Sequence, residues 1–286
     1  MESIPLNSLP QEERLLHIEA LEEEMLYDFR RPHRHDYFEC FLFREGGGTH
    51  YIDFTAHPIT ARSVHLVFPG QVHLMRRRGA RGTVIICRKE FLAALPKALY
   101  TALLAGHYTS PCVSLDNAGF ESLAGTLNDL QSELLSADSF SDGLLESHMN
   151  LLLANCIRRG ASAREQPARD ARHLDHYHAF CSMLDSSPLD ARLPITHYAA
   201  QLGLSPKLLN DSIRRASGRT CAAMIQDRLL TEAKRRLLYT GESCKEIAYA
   251  LAFRDCSYFS RFFRKGEGMT PVEFKSHWEE KYQHRA

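Results

Sequence analysis

The sequence predicts an α+β protein of two domains. The N-terminal one is a β-barrel with dimerisation helices, and the C-terminal one is all-α with two helix-turn-helix motifs. Short strands broken by Gly and Pro fill residues 33–95, helical spacing takes over after Asn117, and one helix-turn-helix pattern is written twice between Ile195 and Gly268. The resulting boundaries are residues 1–160, a linker at 161–172, and residues 173–286.

The N-terminal strands are read from Phe38–Phe43, Thr49–Phe54, Ser63–Phe68 and Thr83–Cys87. Gly46-Gly47-Gly48, Pro58, Pro69-Gly70 and Arg78-Gly79 break them. Close spacing with Gly/Pro turns suits a sandwich or small barrel. Beyond Asn117, Phe120, Leu123, Leu127, Leu130 and Leu134 recur at helical intervals, followed by Leu144, Leu145, Met149, Leu152, Leu153 and Cys156. Such stripes serve an intramolecular core or a dimer seam, and the sequence leaves both open. The stretch Arg158–Arg172 is polar, contains Gly160 and Pro167, and lacks large apolar side chains, as a linker does.

Composition is that of an ordinary globular chain, with 44% hydrophobic and 24% charged residues and a formal net charge of zero. The charge is unevenly placed. Residues 1–172 carry 18 Lys+Arg against 22 Asp+Glu, and residues 173–286 carry 17 against 13. A basic half that is also the repeat half suits a polyanionic partner. The eight cysteines are scattered without metal or redox spacing. No cleavable signal peptide and no apolar run of membrane-spanning length is evident, so a cytoplasmic, membrane-free protein with reduced thiols is expected.

In the repeat, Ala199 matches Ala248, Leu204 matches Phe253, Leu209 matches Phe259, Ile213 matches Phe263 and Gly218 matches Gly268. Ser205 with Pro206, the capping box Ser243-Cys244-Lys245-Glu246, and Asp255 mark helix starts. Small residues (Ala199, Ala248, Gly203, Ala252) are expected to let the paired helices cross closely. A helix over Cys221–Tyr239 joins the units, with Arg228, Lys234, Arg235 and Arg236 on its polar faces. Two such units, their second helices about 34 Å apart, can enter successive major grooves of double-stranded DNA.

The string Glu246-Ile247-Ala248-Tyr249 through Phe253, Tyr258-Phe259-Ser260-Arg261-Phe262-Phe263-Arg264-Lys265, and Gly268-Met269-Thr270-Pro271-Val272-Glu273-Phe274 resembles the AraC/XylS family of bacterial transcription regulators. The resemblance covers roughly residues 175–277. It implies a DNA-binding domain with two helix-turn-helix units and a homodimer made through the N-terminal domain. It implies activation through RNA polymerase as the common mode, and no enzymatic activity. Base-reading positions carry over to Cys256, Ser257 and Arg261 in the second unit and to Lys207, Asn210 and Asp211 in the first. Relatives often have Arg where Asp211 stands; it either accepts from a cytosine amine, or positions Lys207 or Arg215, or the first helix-turn-helix contributes little specificity, and the positioning role is the favoured expectation. Arg214, Arg215, Arg264 and Lys265 are assigned to phosphates.

In the N-terminal half, His33-Arg34-His35-Asp36-Tyr37-Phe38-Glu39, Gly46 and Pro69-Gly70-Gln71-Val72-His73 resemble the two motifs of the cupin barrel. His33, His35 and Glu39 share parity, so on one strand they would face inward together. His33, His35, Glu39 and His73 are the candidate ligands for a metal, though no cofactor is expected. With Phe41 and Tyr51 they are the candidate pocket for a small-molecule effector. Phe38, Phe43, Phe54 and Phe68 are further candidates for an apolar lining, and Arg76-Arg77-Arg78 and Arg81 for an acidic ligand or a solvated hairpin. Three rivals remain: a metal- or redox-sensing regulator, using the His/Glu cluster or a thiol such as Cys40; a metal-dependent cupin enzyme; and a DNA-binding protein with no effector, its barrel serving only dimerisation.

Overall fold

The computed structural model describes residues 6–7, 16–21, 32–107, 111–136, 138–162, 171–186 and 189–283. The chain divides into two compact units, residues 6–167 and 168–286. The middle of the expected linker, residues 163–170, lies outside the described residues, and helices run into the linker from both sides.

In the first unit the strands are β1 (Leu6–Asn7), β2 (Leu16–Leu21), β3 (His33–His35), β4 (Tyr37–Glu45), β5 (Gly48–Ile52), β6 (Thr55–Pro58), β7 (Ser63–Val67), β8 (Val72–Arg77) and β9 (Arg81–Arg88). Helices α1 (Lys89–Ala94) and α2 (Lys97–His107) follow, then β10 (Cys112–Ser114), α3 (Asn117–Ser136) and α4 (Ser141–Ser162). The strands form two five-stranded sheets, ordered β1-β3-β8-β5-β6 and β10-β7-β4-β9-β2. Among the described residues the ladders do not close into a barrel, so the architecture is a sandwich with helices on one side.

Side-chain alternation sorts the second sheet between two cores. Phe38, Cys40, Leu42, Val64, Leu66, Ile85 and Cys87 share a core with α1 to α4. Their alternates Phe41, Phe43, Val67, Val84 and Ile86 meet Ile52 and Met75 of the first sheet. Burial on both faces is why β4 and β7 read as almost unbroken apolar runs. The stripes on α3 and α4 go mainly inward: Phe120, Leu123, Leu127, Leu130, Leu145, Met149, Leu152, Leu153 and Cys156 belong to the helix-side core. Leu135, Phe140, Leu144 and Leu151 stay exposed.

The second unit holds α5 (Ala171–Ser186), α6 (Ile195–Gln201), α7 (Pro206–Ser217), α8 (Cys221–Tyr239), α9 (Cys244–Ala250), α10 (Cys256–Glu267) and α11 (Pro271–Gln283). The two helix-turn-helix units are α6–α7 and α9–α10. Each expected cap forms: Leu208 N–H donates to Ser205 Oγ at 3.2 Å, Tyr258 N–H donates to Asp255 Oδ1 at 2.6 Å, and Ser243 and Glu246 close a capping box.

The repeat extends into the backbone of the turns. Leu204 N–H donates to the Ala199 carbonyl at 2.9 Å, and Phe253 N–H to the Ala248 carbonyl at 2.8 Å. Between them Gly203 and Ala252 hold equivalent positive φ angles of 67° and 57°. This corrects the expectation that Gly203 is small for close helix crossing, since a Cβ there would meet nothing within 4 Å. The turn needs left-handed backbone, which glycine adopts freely and alanine does not. Fully buried Ala199 and Ala248 are the positions that suit close packing. We therefore expect Ala252→Gly to stabilise the C-terminal unit through its second helix-turn-helix, and Gly203→Ala to destabilise the same unit through its first, by about 1 kcal/mol each. Denaturant midpoints of the two variants moving in the same direction would refute this account.

Candidate functional site

Two sets of side chains are candidates, one in each unit. In the second unit, α7 and α10 each bury one apolar stripe and present the other face to solvent. Leu209, Ile213 and Ala216 go inward on α7, and Phe259 and Phe263 on α10. The outward faces hold Lys207, Asp211, Arg214 and Arg215, and then Ser257, Arg261, Arg264 and Lys265. Cys256 is half-buried at the start of α10. The Arg261 guanidinium lies over the Tyr258 ring, 5.9 Å from its centroid.

Two sequence-based assignments change in detail. Asn210 is half-buried, and its Oδ1 accepts the Cys221 N–H at 3.2 Å, tying α7 to the start of α8. Its amide NH2 and the second lone pair of Oδ1 are left for a base. Asp211 makes no ion pair with Lys207 or Arg215 among the described residues, so the positioning role expected for it has no contact behind it here.

The basic residues of α8 belong to a network inside the unit. Arg236 Nε is 3.1 Å from Glu232 and its NH1 is 3.0 Å from Glu242. Arg228 and Arg235 also approach Glu232, at 3.7 and 3.9 Å, and Lys234 pairs with Glu267. The exposed positive charge is concentrated on α7 and α10, where residues enriched in Arg and Lys suit a phosphate backbone.

The first unit carries a buried cluster of histidines between its two sheets. The expectation that His33, His35 and Glu39 share one strand is wrong: a bend at Asp36 separates β3 of one sheet from β4 of the other. The crossing nevertheless brings His35 and Glu39 together across the sandwich. Glu39 Oε2 lies 3.1 Å from His35 Nε2 and 3.4 Å from His73 Nε2, and the two nitrogens are 3.1 Å apart. All three side chains are buried. His33 is the antiparallel ladder partner of His73, with ring centroids 4.1 Å apart, and stands outside this three-atom group.

Two further histidines extend the cluster, and sequence reasoning missed them. His50 Nε2 is 3.1 Å from His73 Nδ1, and His50 Nδ1 is 3.2 Å from His65 Nδ1. The available signal was a lone histidine at an inward position of an apolar strand, as in Ser63-Val64-His65-Leu66-Val67. Phe41 lies against His50 and His73, with centroids 5.2 and 6.1 Å away. Tyr51, the other aromatic assigned to an effector pocket, alternates with inward His50 and Ile52. It therefore lies on the opposite face of β5, beneath the Arg76 guanidinium at 5.8 Å. Phe38 and Phe68 pair edge-to-face on the helix side of the second sheet, away from the histidines. Arg76 and Arg77 end β8 and Arg81 starts β9, with Arg81 3.9 Å from Glu45 at the surface, the arrangement of a solvated hairpin.

Burial is the main cause of the proton affinities. It lowers the His65 pKa to about 3, with a smaller contribution from His57. Burial first, and neighbouring imidazoles second, push His50 and His73 well below the ordinary histidine value. All three rings are neutral at pH 7. Cys40, named above as a possible redox thiol, has its pKa raised well above the ordinary value by its hydrogen bond with Cys156 and by burial. Its environment opposes the thiolate that thiol chemistry needs.

For His65 the linkage has a definite sign. The unfolded chain binds a proton near pH 6.5, and the folded chain does so only near pH 3. Stability is therefore complete above pH 6.5 and declines as pH falls toward 3, by at most about 1.4 kcal/mol per pH unit for this ring. His65→Gln should flatten the fall in the urea midpoint of the first unit between pH 7 and pH 5. An unchanged slope would remove His65 from this role.

Family comparison divides the chain in the same two parts. Residues 15–153 match the AraC-like ligand binding domain, and residues 198–277 match a helix-turn-helix domain. The HTH-type transcriptional activator RhaR of Mannheimia succiniciproducens is 25% identical over 255 residues, covering 85% of this chain and 86% of that protein. The activator RhaS of Pectobacterium atrosepticum is 24% identical over 258 residues, covering 85% and 86%. The arabinose operon regulatory protein of Escherichia coli is 29% identical over 135 residues, covering 46% and 45%. With a ligand-binding domain preceding a doubled helix-turn-helix unit, this chain belongs to the AraC/XylS family of transcription regulators.

Proposed function

We propose that this chain is a cytoplasmic, non-enzymatic activator of transcription. α7 and α10 lie in successive major grooves of double-stranded DNA, and the first unit responds to a small-molecule effector. The observation that carries this reading is the paired display of charge on α7 and α10, framed by turns of the same backbone geometry. Arg261 reads a base; Lys207, Asp211, Ser257, Cys256 and the free amide of Asn210 complete the reading set. Arg214, Arg215, Arg264 and Lys265 neutralise phosphates. Selection from a random DNA pool should return a site with two separated blocks of preferred bases. A pool that stays random, with and without candidate effectors, would overturn the reading. Related regulators are activators by name, and activation implies contact with RNA polymerase. The effector acts only through a difference in affinity between the DNA-binding states.

The exposed leucines of the helical layer support a homodimer. Leu144 and Leu151 lie seven residues apart on one face of α4, with Phe140 just before it and Leu135 at the end of α3. Their exposure is unlike that of the other apolar side chains of these helices, and a second copy is the partner we assign. Leu144→Glu with Leu151→Glu should convert a dimer to a monomer in sedimentation equilibrium without lowering thermal stability. A wild-type chain that is monomeric at micromolar concentration, or a double variant that remains dimeric, would refute the assignment.

A further inference from the structure

We infer that the first unit binds one divalent transition-metal ion through His35 Nε2, His73 Nε2 and Glu39 Oε2, and that the imidazoles of His50 and His65 are set by that ion. The site goes beyond the regulatory reading and does not rest on it.

Size comes first. The three donor atoms form a triangle with edges of 3.1, 3.1 and 3.4 Å. Ligands at 2.0–2.2 Å from a single ion, meeting at angles between octahedral and tetrahedral, stand about 2.8–3.6 Å apart. The triangle therefore suits one ion bonded to all three atoms. Two imidazoles and one carboxylate suit zinc, cobalt, nickel, manganese or ferrous iron over magnesium or calcium, which take all-oxygen sets.

Unmet polarity comes second. Glu39 Oε2 is buried and accepts no hydrogen bond among the described residues. A buried carboxylate oxygen without a donor is strongly disfavoured. A cation at the centre of the triangle satisfies it. His35 is already prepared: its Nδ1–H donates to the Tyr37 carbonyl at 2.7 Å, which leaves the Nε2 lone pair facing the triangle. Such an outer hydrogen bond fixes the tautomer of a metal-ligating histidine.

The remaining contacts give the site a consequence. A neutral imidazole has one N–H and one lone pair. Without an ion, the contact between His35 Nε2 and His73 Nε2 requires the proton on His73 Nε2. His50 Nε2–H then donates to His73 Nδ1, and His65 Nδ1–H donates to His50 Nδ1. An ion needs the His73 Nε2 lone pair, so the row reverses. His73 Nδ1–H donates to His50 Nε2, His50 Nδ1–H donates to His65 Nδ1, and His65 carries its proton on Nε2. One proton leaves at His73 Nε2 and one enters at His65 Nε2. Every ring stays neutral. Occupancy at the triangle is thereby registered on β7, two residues into a strand that pairs with β10.

The test uses the purified full-length chain and the metals alone. Titration with Co2+ should give visible ligand-field bands that saturate at one ion per chain, without the near-ultraviolet thiolate band that any of the eight cysteines would produce. Zn2+ should displace the colour. The near-isosteric Glu39→Gln and, separately, His73→Gln should abolish it while circular dichroism remains that of the folded chain. His50→Phe should keep one ion per chain with affinity reduced roughly 10–100-fold, as loss of an outer-sphere partner does. Imidazole 15N shifts should show His73 and His50 protonated on Nδ1 in the Zn2+ form and on Nε2 in the metal-free form. Absence of saturable binding, colour that survives both ligand substitutions, or a thiolate band would overturn the site. Unchanged 15N shifts on adding Zn2+ would overturn the relay. DNA selection is read separately, so a chain that selects an operator but binds no ion loses this inference and keeps the regulator, and the converse also holds.

Discussion

Arg261→Ala should lower affinity for the selected operator by about 1–3 kcal/mol, or roughly 5–150-fold, with the loss falling on one base position. The guanidinium is exposed on α10 and rests over the Tyr258 ring, which holds it at the surface in a limited range of directions. A guanidinium held in this way can bond in parallel to guanine O6 and N7. Lysine supplies charge without that fork, so Arg261→Lys should also lose discrimination at the same base while keeping most of the salt dependence. Arg264→Ala separates the two roles. It should weaken all sequences by a similar factor and reduce the slope of log affinity against log salt by about one. Binding profiles measured against every single-base variant of the operator distinguish the two substitutions. If the profiles of Arg261→Ala and Arg264→Ala coincide, the division between base reading and phosphate contact is wrong.

The exposed faces of α7 and α10 were largely legible in the sequence because helical periodicity dictates them. Once Leu209 and Ile213, and then Phe259 and Phe263, are assigned to a core, the outward positions follow by rotation about the helix axis. Local capping chemistry fixed where each helix begins, and every expected cap is present. Asn210 was less legible. Its carbonyl bonds the backbone of Cys221, eleven residues later, and periodicity carries no information about such a contact.

The β unit was legible only strand by strand. Apolar runs marked the strands, but alternation could not reveal the bend at Asp36 that sends β3 and β4 into different sheets. Parity counted across that bend put His33, His35 and Glu39 on one strand. Two of the three converge with His73 anyway, because the strands cross from opposite sheets at that point. His50 and His65 join from strands far along the chain, and no spacing motif links them to the first three. Tyr51 failed for the opposite reason: aromatic character suggested a pocket, while the pleat turned it to the other side of β5.

Phe263→Ala should destabilise the second unit by about 3–5 kcal/mol, more than any other substitution considered above. The ring is fully buried and stands in a row of aromatic contacts, 6.0 Å from Phe259 and 5.4 Å from Phe274 by centroid. Phe253 continues the row from the turn into Phe259 at 5.3 Å, and Trp278 extends it from Phe274 at 6.0 Å. The row thus joins the α9–α10 turn, α10 and α11. Truncation at Phe263 opens a cavity at its centre and removes two aromatic pairs at once. For a domain of this size the melting temperature of the second unit should fall by roughly 15 °C or more. DNA binding should disappear near the growth temperature of a mesophile and return on cooling, with the wild-type base preferences intact. Arg261→Ala should show the reverse pattern, an unchanged melt with altered preferences, since its side chain is exposed and lies over the Tyr258 ring at the surface. A Phe263→Ala chain that melts like wild type would mean that this aromatic row does not hold α10 in place, and the orientation assigned to the second recognition helix would lose its support.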